Sequence, residues 1–470
     1  MRLGLCAAIL AGKVAASLAR VCGWRGSSLP GVVALRLCPG VLPKLVSQVR
    51  TGVIIVTGTN GKTTTSNMIA RMLAAAGFRV INNREGANLI TGVTAAFVRA
   101  ASLSGRIACD YAVLEVDEAS FPRVVPQTNP EVVVVTNFFR DQLDRYGELD
   151  TTISFIRRTL AERPHVSLVL NADDPLVTQL ARCARDVIFY GVAPRSTVVP
   201  RGSTSREARF CPFCGHPLEY THYHYSQLGA YQCTGCGFAR PRPHVEAAAT
   251  AVAGQVMRSR VRWEDKVISV VLPTQGVYNL YNALAAFTAG MVLGIDPATA
   301  AASLSSYTPA TGRLEGFLYH GKPVYLNLVK NPAGFNESLN LVLAGRGSRD
   351  VFIAINDNDA DGHDISWLWD VDFEVLAGVK DILSFVCSGK RGEEMAVRLK
   401  YAGVPLRKIT AVRNLRAAID RTLNGRGEAA YFLATYTALW PVEKLLRRRV
   451  SRTALQDPHS SRVSSTVDRR

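Results

Sequence analysis

Long hydrophobic runs are missing from this 470-residue sequence: no apolar stretch approaches the roughly 18 residues that cross a bilayer as a helix. This absence excludes a polytopic membrane protein. Charged residues are also scarce at 20%, whereas 48% of the residues are hydrophobic, and this balance excludes a disordered chain. No internal repeat is apparent. A chain of this length predicts two to four domains of about 100–200 residues each.

Positive charge is in excess, because 55 Lys and Arg face 38 Asp and Glu, which gives a net charge of +17. A basic balance suits nucleic acid, an anionic membrane surface or an acidic substrate. The last residues, 451–470, are rich in Ser and Arg and predict a disordered basic tail. Apolar residues at helical spacing from Leu3 to Val21 predict an amphipathic helix, with a short signal peptide as the alternative.

A glycine-rich loop follows the first strongly β-branched run, Val53–Val56, and precedes a helical pattern. The loop reads TGTNGKTT and consists of Thr57, Gly58, Thr59, Asn60, Gly61, Lys62, Thr63 and Thr64. A strand, a glycine turn and a helix in this order place backbone N–H groups and a helix N-terminus around phosphate. We therefore expect a nucleotide here, with Lys62 at its outer phosphates and Thr63 on Mg²⁺; the alternative is an ordinary glycine turn.

Carboxylates follow the next apolar strand, at Glu115, Asp117 and Glu118. Ligands gather at the carboxyl ends of parallel strands, so we expect Glu115 to bind the nucleotide's Mg²⁺, with Glu118 in reserve. The alternative is a solvated acidic loop. Further apolar strands at Val132–Val135 and Leu168–Leu170 alternate with helical segments. This alternation predicts an α/β fold with a parallel, doubly wound sheet.

Two CxxC pairs separated by 18 residues lie in a segment rich in Cys, Gly, Pro, His and Tyr. They are Cys211, Cys214, Cys233 and Cys236. This is zinc-ribbon spacing, and four thiolates close a tetrahedral Zn²⁺ shell with no open position, which predicts a structural metal. Disulfide bonds are the alternative. The neighbouring His222 and His224 are predicted to be structural or surface residues.

Five motifs, in order, resemble those of the Mur ligase superfamily: GTNGKT from Gly58, TNFFRDQLD from Thr136, NADD from Asn171, YNLYNALAA from Tyr278 and GRLE from Gly312. The resemblance implies a P-loop domain that binds ATP and a C-terminal α/β domain. It implies a reaction in which ATP phosphorylates a substrate carboxylate to an acyl phosphate, which an amine then attacks. It also places Asn279 and Asn282 by the adenine, Arg313 by the phosphates and Asp173 near the ribose.

Within this superfamily, the four-cysteine ribbon, LVKNPAG from Leu328 and DGHDISW from Asp361 resemble the MurT family of ligase subunits. That resemblance implies a GatD-like glutaminase partner whose ammonia amidates the α-carboxylate of D-isoglutamate in lipid II or a related peptidoglycan precursor. It implies that Asp364 completes a Cys–His pair of the partner, with Asp361 as the alternative. The Lys that ordinary Mur ligases carbamylate is absent from 153–157, which is consistent with ammonia as the nucleophile.

The predicted organisation is an N-terminal segment 1–45, a middle ATP-binding domain 46–312 with a zinc-ribbon insertion 205–242, a C-terminal glutaminase-docking domain 313–450 and the tail 451–470. We expect a cytoplasmic enzyme at the inner face of the membrane, with ATP, Mg²⁺ and structural Zn²⁺ and without nucleic acid as a partner. Two alternatives remain. One is a stand-alone ligase that adds an amino acid, and the other is a nucleic-acid-binding NTPase that uses the ribbon and the basic tail.

Overall fold

The computed structural model describes residues 2–21, 28–83, 87–140, 149–194, 207–253, 256–274, 276–308 and 313–452. Its α-helices are α1 Arg2–Val21, α2 Leu29–Leu37, α3 Val41–Val46, α4 Lys62–Ala75, α5 Ile90–Ala100, α6 Phe121–Thr128, α7 Leu149–Ala161, α8 Pro175–Thr178, α9 Val277–Val292, α10 Pro297–Ser305, α11 Pro332–Ala344, α12 Gly392–Tyr401, α13 Leu415–Leu423 and α14 Tyr436–Leu446. Short 3-10 helices span Gln179–Cys183, Ser366–Asp370, Phe373–Leu376 and Leu406–Lys408.

The strands form two large sheets and one hairpin. They are β1 Gly52–Thr57, β2 Val80–Asn82, β3 Tyr111–Glu115, β4 Val132–Val135, β5 Ser167–Asn171, β6 Val187–Val192, β7 Leu218–Tyr225, β8 Leu228–Cys233, β9 Val245–Ala253, β10 Val256–Trp263, β11 Lys266–Leu272, β12 Arg313–Tyr319, β13 Lys322–Leu328, β14 Arg349–Ala354, β15 Ile382–Ser388, β16 Ile409–Ala411, β17 Ala429–Ala434 and β18 Ser451–Arg452.

The first sheet has the strand order β11-β10-β9-β6-β5-β4-β1-β3-β2. Neighbours from β2 through β9 in this order run parallel, and β10 and β11 extend one edge as antiparallel strands. The runs Val53–Val56 and Val132–Val135 are buried throughout, as expected for central parallel strands with helices on both faces. The predicted parallel, doubly wound sheet is confirmed.

Helices cover both faces of this sheet. One apolar core joins α1, α2, α3, α5, α6 and α7 to one face, and a second core joins α4, α9 and α10 to the other. The predicted amphipathic helix at the start of the chain is confirmed as α1, which packs against α2 and α5. Among the residues that the structure describes, no helix is both long enough and apolar enough to span a membrane.

The register of the central strands brings the predicted site residues together. Val56 pairs with Glu115 on β3, and Thr57 pairs with Val135 on β4. The carboxyl ends of these strands therefore lie side by side, where ligands bind in open α/β sheets. The loop after β1, the carboxylates after β3 and the polar residues after β4 meet at one edge for this reason.

A second α/β unit follows the first. Its sheet has the order β16-β15-β14-β17-β13-β12-β18, with parallel pairing from β16 to β13 and antiparallel pairing at β12 and β18. The antiparallel hairpin β7–β8 is inserted between β6 and β9. These features confirm the predicted C-terminal α/β domain and the insertion. The domain limits stay a prediction, and most of the tail lies outside the described residues.

Candidate active site and cysteine ribbon

The loop after β1 depends on glycine at two positions. Gly58 has a φ of 115° and Gly61 a φ of 87°, values that side chains other than glycine rarely adopt. A Cβ at Gly58 would overlap Thr136, and one at Gly61 would overlap the side-chain oxygen of Asn282. Gly61 is the N-cap of α4, so the loop ends where the helix N-terminus offers its unpaired N–H groups. This is the backbone form that the sequence predicts for a phosphate-binding loop.

Polar residues after β4 hold the loop in shape. The Thr136 hydroxyl donates to the carbonyl of Asn60 at 2.7 Å, and the Asn137 side-chain amide donates to the same carbonyl at 3.1 Å. The backbone N–H of Asn60 donates to Asn137 Oδ1 at 2.9 Å, and that of Thr59 donates to the Asn137 carbonyl at 2.8 Å. The loop is therefore braced by the neighbouring strand before any nucleotide binds. Asp141 to Glu148, which continue this motif, lie outside the described residues.

Lys62 is buried within the loop and forms an ion pair. Its Nζ lies 2.9 Å from Glu118 Oε2 and donates to the carbonyls of Gly58 at 2.6 Å and Thr59 at 3.3 Å. Burial alone would lower the pKa of Lys62, but the carboxylates of Glu118, Asp117 and Glu115 outweigh it and raise that pKa above its ordinary value. Lys62 therefore stays charged, at the place where a phosphate would bind.

Burial would raise the pKa of Glu118, but the positive charges of Lys62 and Lys330 lower it below its usual value. Glu115, the expected Mg²⁺ ligand, is buried at the end of β3 and accepts a hydrogen bond from Asn88 Nδ2 at 3.3 Å. Glu118 rather than Glu115 contacts Lys62. The roles of the two carboxylates as Mg²⁺ ligands stay a prediction.

The residues present fit a Mg²⁺-nucleotide. Thr63 is half-buried in the first turn of α4, and Thr64 beside it is buried. The Thr57 hydroxyl is buried and has no hydrogen-bond partner among the described residues. A buried hydroxyl without a partner is costly unless a ligand satisfies it. Together with the carboxylates after β3, these hydroxyls form the hard oxygen donor set that Mg²⁺ prefers.

One of the two asparagines of α9 lies against the loop. Asn282 Oδ1 abuts Gly61 and is 3.5 Å from the Thr65 hydroxyl. Asn279 donates through Nδ2 to the Thr274 hydroxyl at 2.9 Å. The structure therefore brings Asn282 next to the phosphate loop and Asn279 within 3.5 Å of Asn282, while the proximity of both to adenine stays a prediction. Arg313 is the first residue of β12, and its side chain lies outside the described part of the chain.

Asp173 is fully buried, and residues of this chain engage both of its carboxylate oxygens. Oδ1 accepts from Arg240 Nε at 2.5 Å, and Oδ2 accepts from the Tyr281 hydroxyl at 2.6 Å and from the Val192 N–H at 2.8 Å. These contacts tie β6, α9 and the ribbon segment together. A place near the ribose stays a prediction for Asp173, whose described contacts are structural.

The second α/β unit reaches the phosphate loop through an amide pair. Asn331 Nδ2 donates to Asn60 Oδ1 at 3.0 Å, and Asn60 Nδ2 lies 3.3 Å from Asn331 Oδ1. Asn331 also caps α11, because its Oδ1 accepts from the Gly334 N–H at 2.9 Å. The sequence identified LVKNPAG only as a family motif and did not predict this contact. The Asn-Pro that begins α11 was the available signal, since Asn is a common N-cap and Pro a common first helical residue.

The four predicted zinc ligands lie together. The Sγ atoms of Cys211, Cys214, Cys233 and Cys236 are all within 4.8 Å of one another. Cys211 and Cys236 are 3.6 Å apart and Cys214 and Cys233 are 3.5 Å apart, far longer than the roughly 2.05 Å of a disulfide bond. A tetrahedral Zn²⁺ with Zn–S distances near 2.3 Å needs sulfur separations of about 3.8 Å. The cluster therefore fits a structural zinc ion.

His224 is buried outside this cluster. Its Nε2 lies 3.1 Å from the carbonyl oxygen of Val192, so it takes part in packing, as predicted. Burial lowers the pKa of His224 to about 4, although the charge of Asp173 acts in the opposite direction. The imidazole is neutral at physiological pH for that reason.

The two candidate carboxylates for the partner differ in exposure. Asp361 is buried, and it accepts hydrogen bonds from the Thr437 N–H at 2.8 Å and from the Thr437 hydroxyl. Asp364 is partly exposed and accepts from the Ser366 N–H at 2.8 Å and the Ser366 hydroxyl at 2.9 Å. These hydrogen bonds, helped by the charge of Arg140, lower the pKa of Asp364. Asp364 is therefore an ionised carboxylate at the surface, whereas Asp361 holds a loop.

The two tryptophans after Asp364 divide between core and surface. Trp367 is buried beside Phe335, with ring centroids 6.2 Å apart. Trp369 is 57% exposed and lies 5.8 Å from the ring of Tyr401, which is 69% exposed. The structure places Trp367 in the core and leaves an exposed aromatic pair near Asp364.

Solved structures share the fold of this chain. The chain is similar to a pseudomurein peptide ligase type C from Methanothermus fervidus, at 23% identity and a TM-score of 0.67, covering 86% of this chain and 80% of that one. It is also similar to MurF from Acinetobacter baumannii, at 18% identity and a TM-score of 0.63, with 88% and 80% covered. Both likenesses show the Mur ligase fold.

Sequence comparisons then define the family. The family models described as Mur ligase middle domain and MurT ligase C-terminal match residues 56–234 and 328–439. The chain is 38% identical to the MurT subunit of lipid II isoglutaminyl synthase (glutamine-hydrolyzing) from Staphylococcus aureus (strain N315), over 94% of this chain and 97% of the relative. It is 35% identical to the protein of the same name from Streptococcus pneumoniae, over 90% and 93%. The chain belongs to the MurT family of Mur-type ligases.

Proposed function

We propose that this chain is the ligase subunit of a glutamine-hydrolysing enzyme that amidates lipid II. It uses ATP to activate the α-carboxylate of D-isoglutamate in the stem peptide, and ammonia from a GatD-like glutaminase converts that group to the amide of D-isoglutamine. The names of the S. aureus and S. pneumoniae relatives support the substrate and the glutamine dependence. The observation in the structure that carries the proposal is the buried, charged Lys62 in a glycine loop beside Glu115 and Glu118.

The proposed reaction has two steps. In the first, a carboxylate oxygen attacks the γ-phosphorus of ATP, the bond to the β-phosphate oxygen breaks, and an acyl phosphate and ADP form. In the second, the nitrogen of ammonia attacks the acyl carbon, the C–O bond to phosphate breaks, phosphate leaves and a proton is lost to solvent. Protein groups contribute mainly by positioning and by neutralising the phosphoryl charge in such transfers.

Each nucleotide-site residue has a proposed role. Lys62 leaves Glu118 and neutralises the transferring phosphoryl group, and Arg313 contacts the phosphates. Thr63, Glu115 and Glu118 would hold Mg²⁺, which supplies further positive charge to the phosphates. The remaining members are the loop backbone and the groups expected at adenine and ribose, namely Asn279, Asn282 and Asp173.

A separate source of nitrogen is supported by the distribution of cysteines. Outside the ribbon, Cys38, Cys109, Cys183 and Cys387 are buried and Cys6 is half-buried on α1. A glutaminase needs an accessible thiolate nucleophile, and burial raises the pKa of Cys387 to about 12. None of these described thiols suits that role. We therefore assign glutamine hydrolysis to the partner subunit, with Asp364 orienting its histidine.

The ribbon is proposed to be structural. Four thiolates complete the coordination of Zn²⁺, so no position remains for substrate or water. Its hairpin is joined to the nucleotide unit by the N–H of Gly229, which donates to the Asp173 carbonyl at 2.9 Å, and by the Tyr231 hydroxyl, which donates to Thr178 Oγ1 at 2.8 Å. The metal would stabilise the hairpin and hold the β6–β9 insertion in place.

The need for ATP and for a lipid-linked acceptor leads us to propose a cytoplasmic location at the inner face of the membrane. The test of the whole proposal is reconstitution with the glutaminase subunit, followed by mass spectrometry of the stem peptide. With ATP, Mg²⁺ and glutamine, we expect ADP release and replacement of one carboxyl OH by NH₂. Ammonium chloride should replace glutamine and remove the need for the partner.

The control arms of this experiment separate the alternatives. A reaction supplied with free amino acids and no ammonia tests a stand-alone ligase, and added RNA or DNA tests a nucleic-acid-dependent NTPase. If the complete enzyme released no ADP and left the stem peptide unchanged, the proposed function would be wrong.

A further inference from the structure

The first helix presents an apolar stripe to solvent. Leu10, Val14 and Leu18 are 52%, 49% and 61% exposed, and their spacing of four residues places them on one face of α1. Ile9 and Ala16, on the opposite side, are buried. Buried and exposed apolar residues therefore lie on opposite sides of one helix.

The helix is anchored rigidly beneath this stripe. At Gly12 the backbone approaches α2 and α5 so closely that an added Cβ would lie 2.9 Å from both the Pro30 carbonyl oxygen and a methyl of Val98. Lys13 Nζ donates to the carbonyl of Arg99 at the end of α5, at 3.0 Å. The stripe is thus the outer surface of a docked helix rather than the exposed side of a loosely attached one.

Two further exposed leucines extend the apolar surface. Leu103 is 60% exposed on the turn after α5, and a Cβ at Gly105 in that turn would lie 3.2 Å from the Leu5 side chain of α1. Leu37 is 57% exposed at the end of α2, which packs along α1. We call Leu10, Val14, Leu18, Leu37 and Leu103 the N-terminal apolar face.

The part of the sequence that contributes this face is strongly basic. Residues 1–109 contain 13 Lys and Arg and a single acidic residue, Glu85, so they carry +12 of the net charge of +17. Residues 110–446, by contrast, contain 35 basic and 35 acidic residues. Arg36, Arg99 and Arg106 are exposed beside the leucines. Most of the net positive charge therefore lies in the part of the sequence that carries the apolar stripe.

We propose that the N-terminal apolar face binds the surface of a membrane that contains anionic lipids. A helix with an apolar outer stripe and flanking basic residues lies in the plane of the interface, with its apolar side chains at the boundary of headgroups and acyl chains. Arg side chains on either side reach the lipid phosphates. A protein partner or a second copy of the chain would also cover apolar surface, but the exposed arginines beside the leucines, in a strongly basic part of the sequence, favour an anionic sheet of headgroups.

Membrane binding would also bear on the substrate class. A ligase held at the interface by α1 meets an acceptor that is anchored in the same membrane, which favours a lipid-linked over a soluble precursor. This consequence rests on the proposed function, whereas the binding surface rests on the exposure and charge described above. The two are therefore tested by different measurements.

The test is flotation of the full chain, alone and with its partner subunit, with phosphatidylcholine vesicles that do or do not contain phosphatidylglycerol. The variant Leu10→Gln/Val14→Gln/Leu18→Gln replaces the three apolar side chains of the stripe with polar ones. Gln is a good helix former, so α1 should be retained. The matched control, Val252→Gln/Val267→Gln/Leu406→Gln, removes three equally exposed apolar residues elsewhere. Circular dichroism and thermal unfolding check that both variants fold.

We expect the wild type and the control variant to bind the anionic vesicles and to dissociate from them at high salt. The stripe variant should bind these vesicles at least about tenfold more weakly. Ammonia-driven amidation of a soluble stem-peptide acceptor should be unchanged in the stripe variant. Equal binding by the stripe variant and the wild type, or no binding by the wild type, would overturn the inference. The inference would also be overturned if light scattering showed that the wild type is a dimer and that loss of this dimer is the only defect of the stripe variant. Vesicle binding without amidation would instead count against the proposed function alone.

Discussion

Replacing Lys62 by Ala tests the nucleotide site most directly, because the structure predicts separate effects on stability and on catalysis. Lys62 and Glu118 are both 7% exposed and form an ion pair of 2.9 Å. Removing one partner of a buried pair leaves the other charge uncompensated and costs about 3 kcal/mol or more. For a unit of about 200 residues, a loss of about 3 kcal/mol lowers the unfolding temperature by roughly 6–12 °C.

The double variant Lys62→Ala/Glu118→Gln separates the two effects. It removes both charges, so most of the lost stability should return and the unfolding temperature should rise back toward that of the wild type. Catalysis should not return, because the ammonium that neutralises the phosphoryl group is still missing. A preorganised charge of this kind contributes about 100- to 1000-fold to the rate, and we expect both variants to lose at least that much.

The assay is ammonia-driven ADP release in the presence of stem-peptide acceptor, together with thermal unfolding in the absence of nucleotide. Using ammonia makes the rate independent of the glutaminase. Lys266→Ala, at an exposed position on β11, serves as the matched control and should change neither quantity. If Lys62→Ala kept more than about a tenth of the wild-type rate, or if the double variant regained activity, the assignment of Lys62 to the phosphates would be refuted.

Three other predictions follow from the described contacts. Asp364→Asn should abolish glutamine-driven amidation and spare the ammonia-driven reaction, whereas Asp361→Asn should lower the unfolding temperature and both rates; equal loss of both rates in Asp364→Asn would contradict the cross-subunit role. Metal analysis should find about one Zn²⁺ per chain, and Cys233→Ser should remove it and destabilise the hairpin. Because burial lowers the pKa of His224 from 6.5 to about 4, the folded state resists its protonation. As pH falls from about 6.5 to about 4, about 3 kcal/mol of stability should be lost, and His224→Gln should flatten that part of the unfolding temperature–pH curve.

Much of the fold was predictable from short stretches of sequence. β-branched runs such as Val53–Val56 and Val132–Val135 are buried strands, and apolar residues at helical spacing from Leu3 to Val21 form α1. The glycine loop was also predictable, because Gly58 and Gly61 adopt positive φ values that only glycine adopts readily. In the ribbon, the CxxC spacing alone determines that each pair of thiols lies close together.

Contacts between residues that are far apart in sequence were harder to predict. The sequence favoured Glu115 as the Mg²⁺ ligand, which stays a prediction, and it did not reveal that Glu118 pairs with Lys62. The sequence did not reveal that Asn331 contacts Asn60 across 271 positions. The sequence also did not reveal that Arg240 and Tyr281 donate hydrogen bonds to the carboxylate of Asp173.

The sequence by itself determined the local features: which segments are strands and helices, which turn needs glycine before a helix, and where the two CxxC motifs lie. These depend on backbone angles and on side-chain spacing within a few residues. The tertiary structure alone decided that Asp361 is buried while Asp364 faces solvent, and that the stripe of α1 points outward. Burial depends on which faces pack together after the chain has folded, and residues three or four positions apart then meet entirely different surroundings.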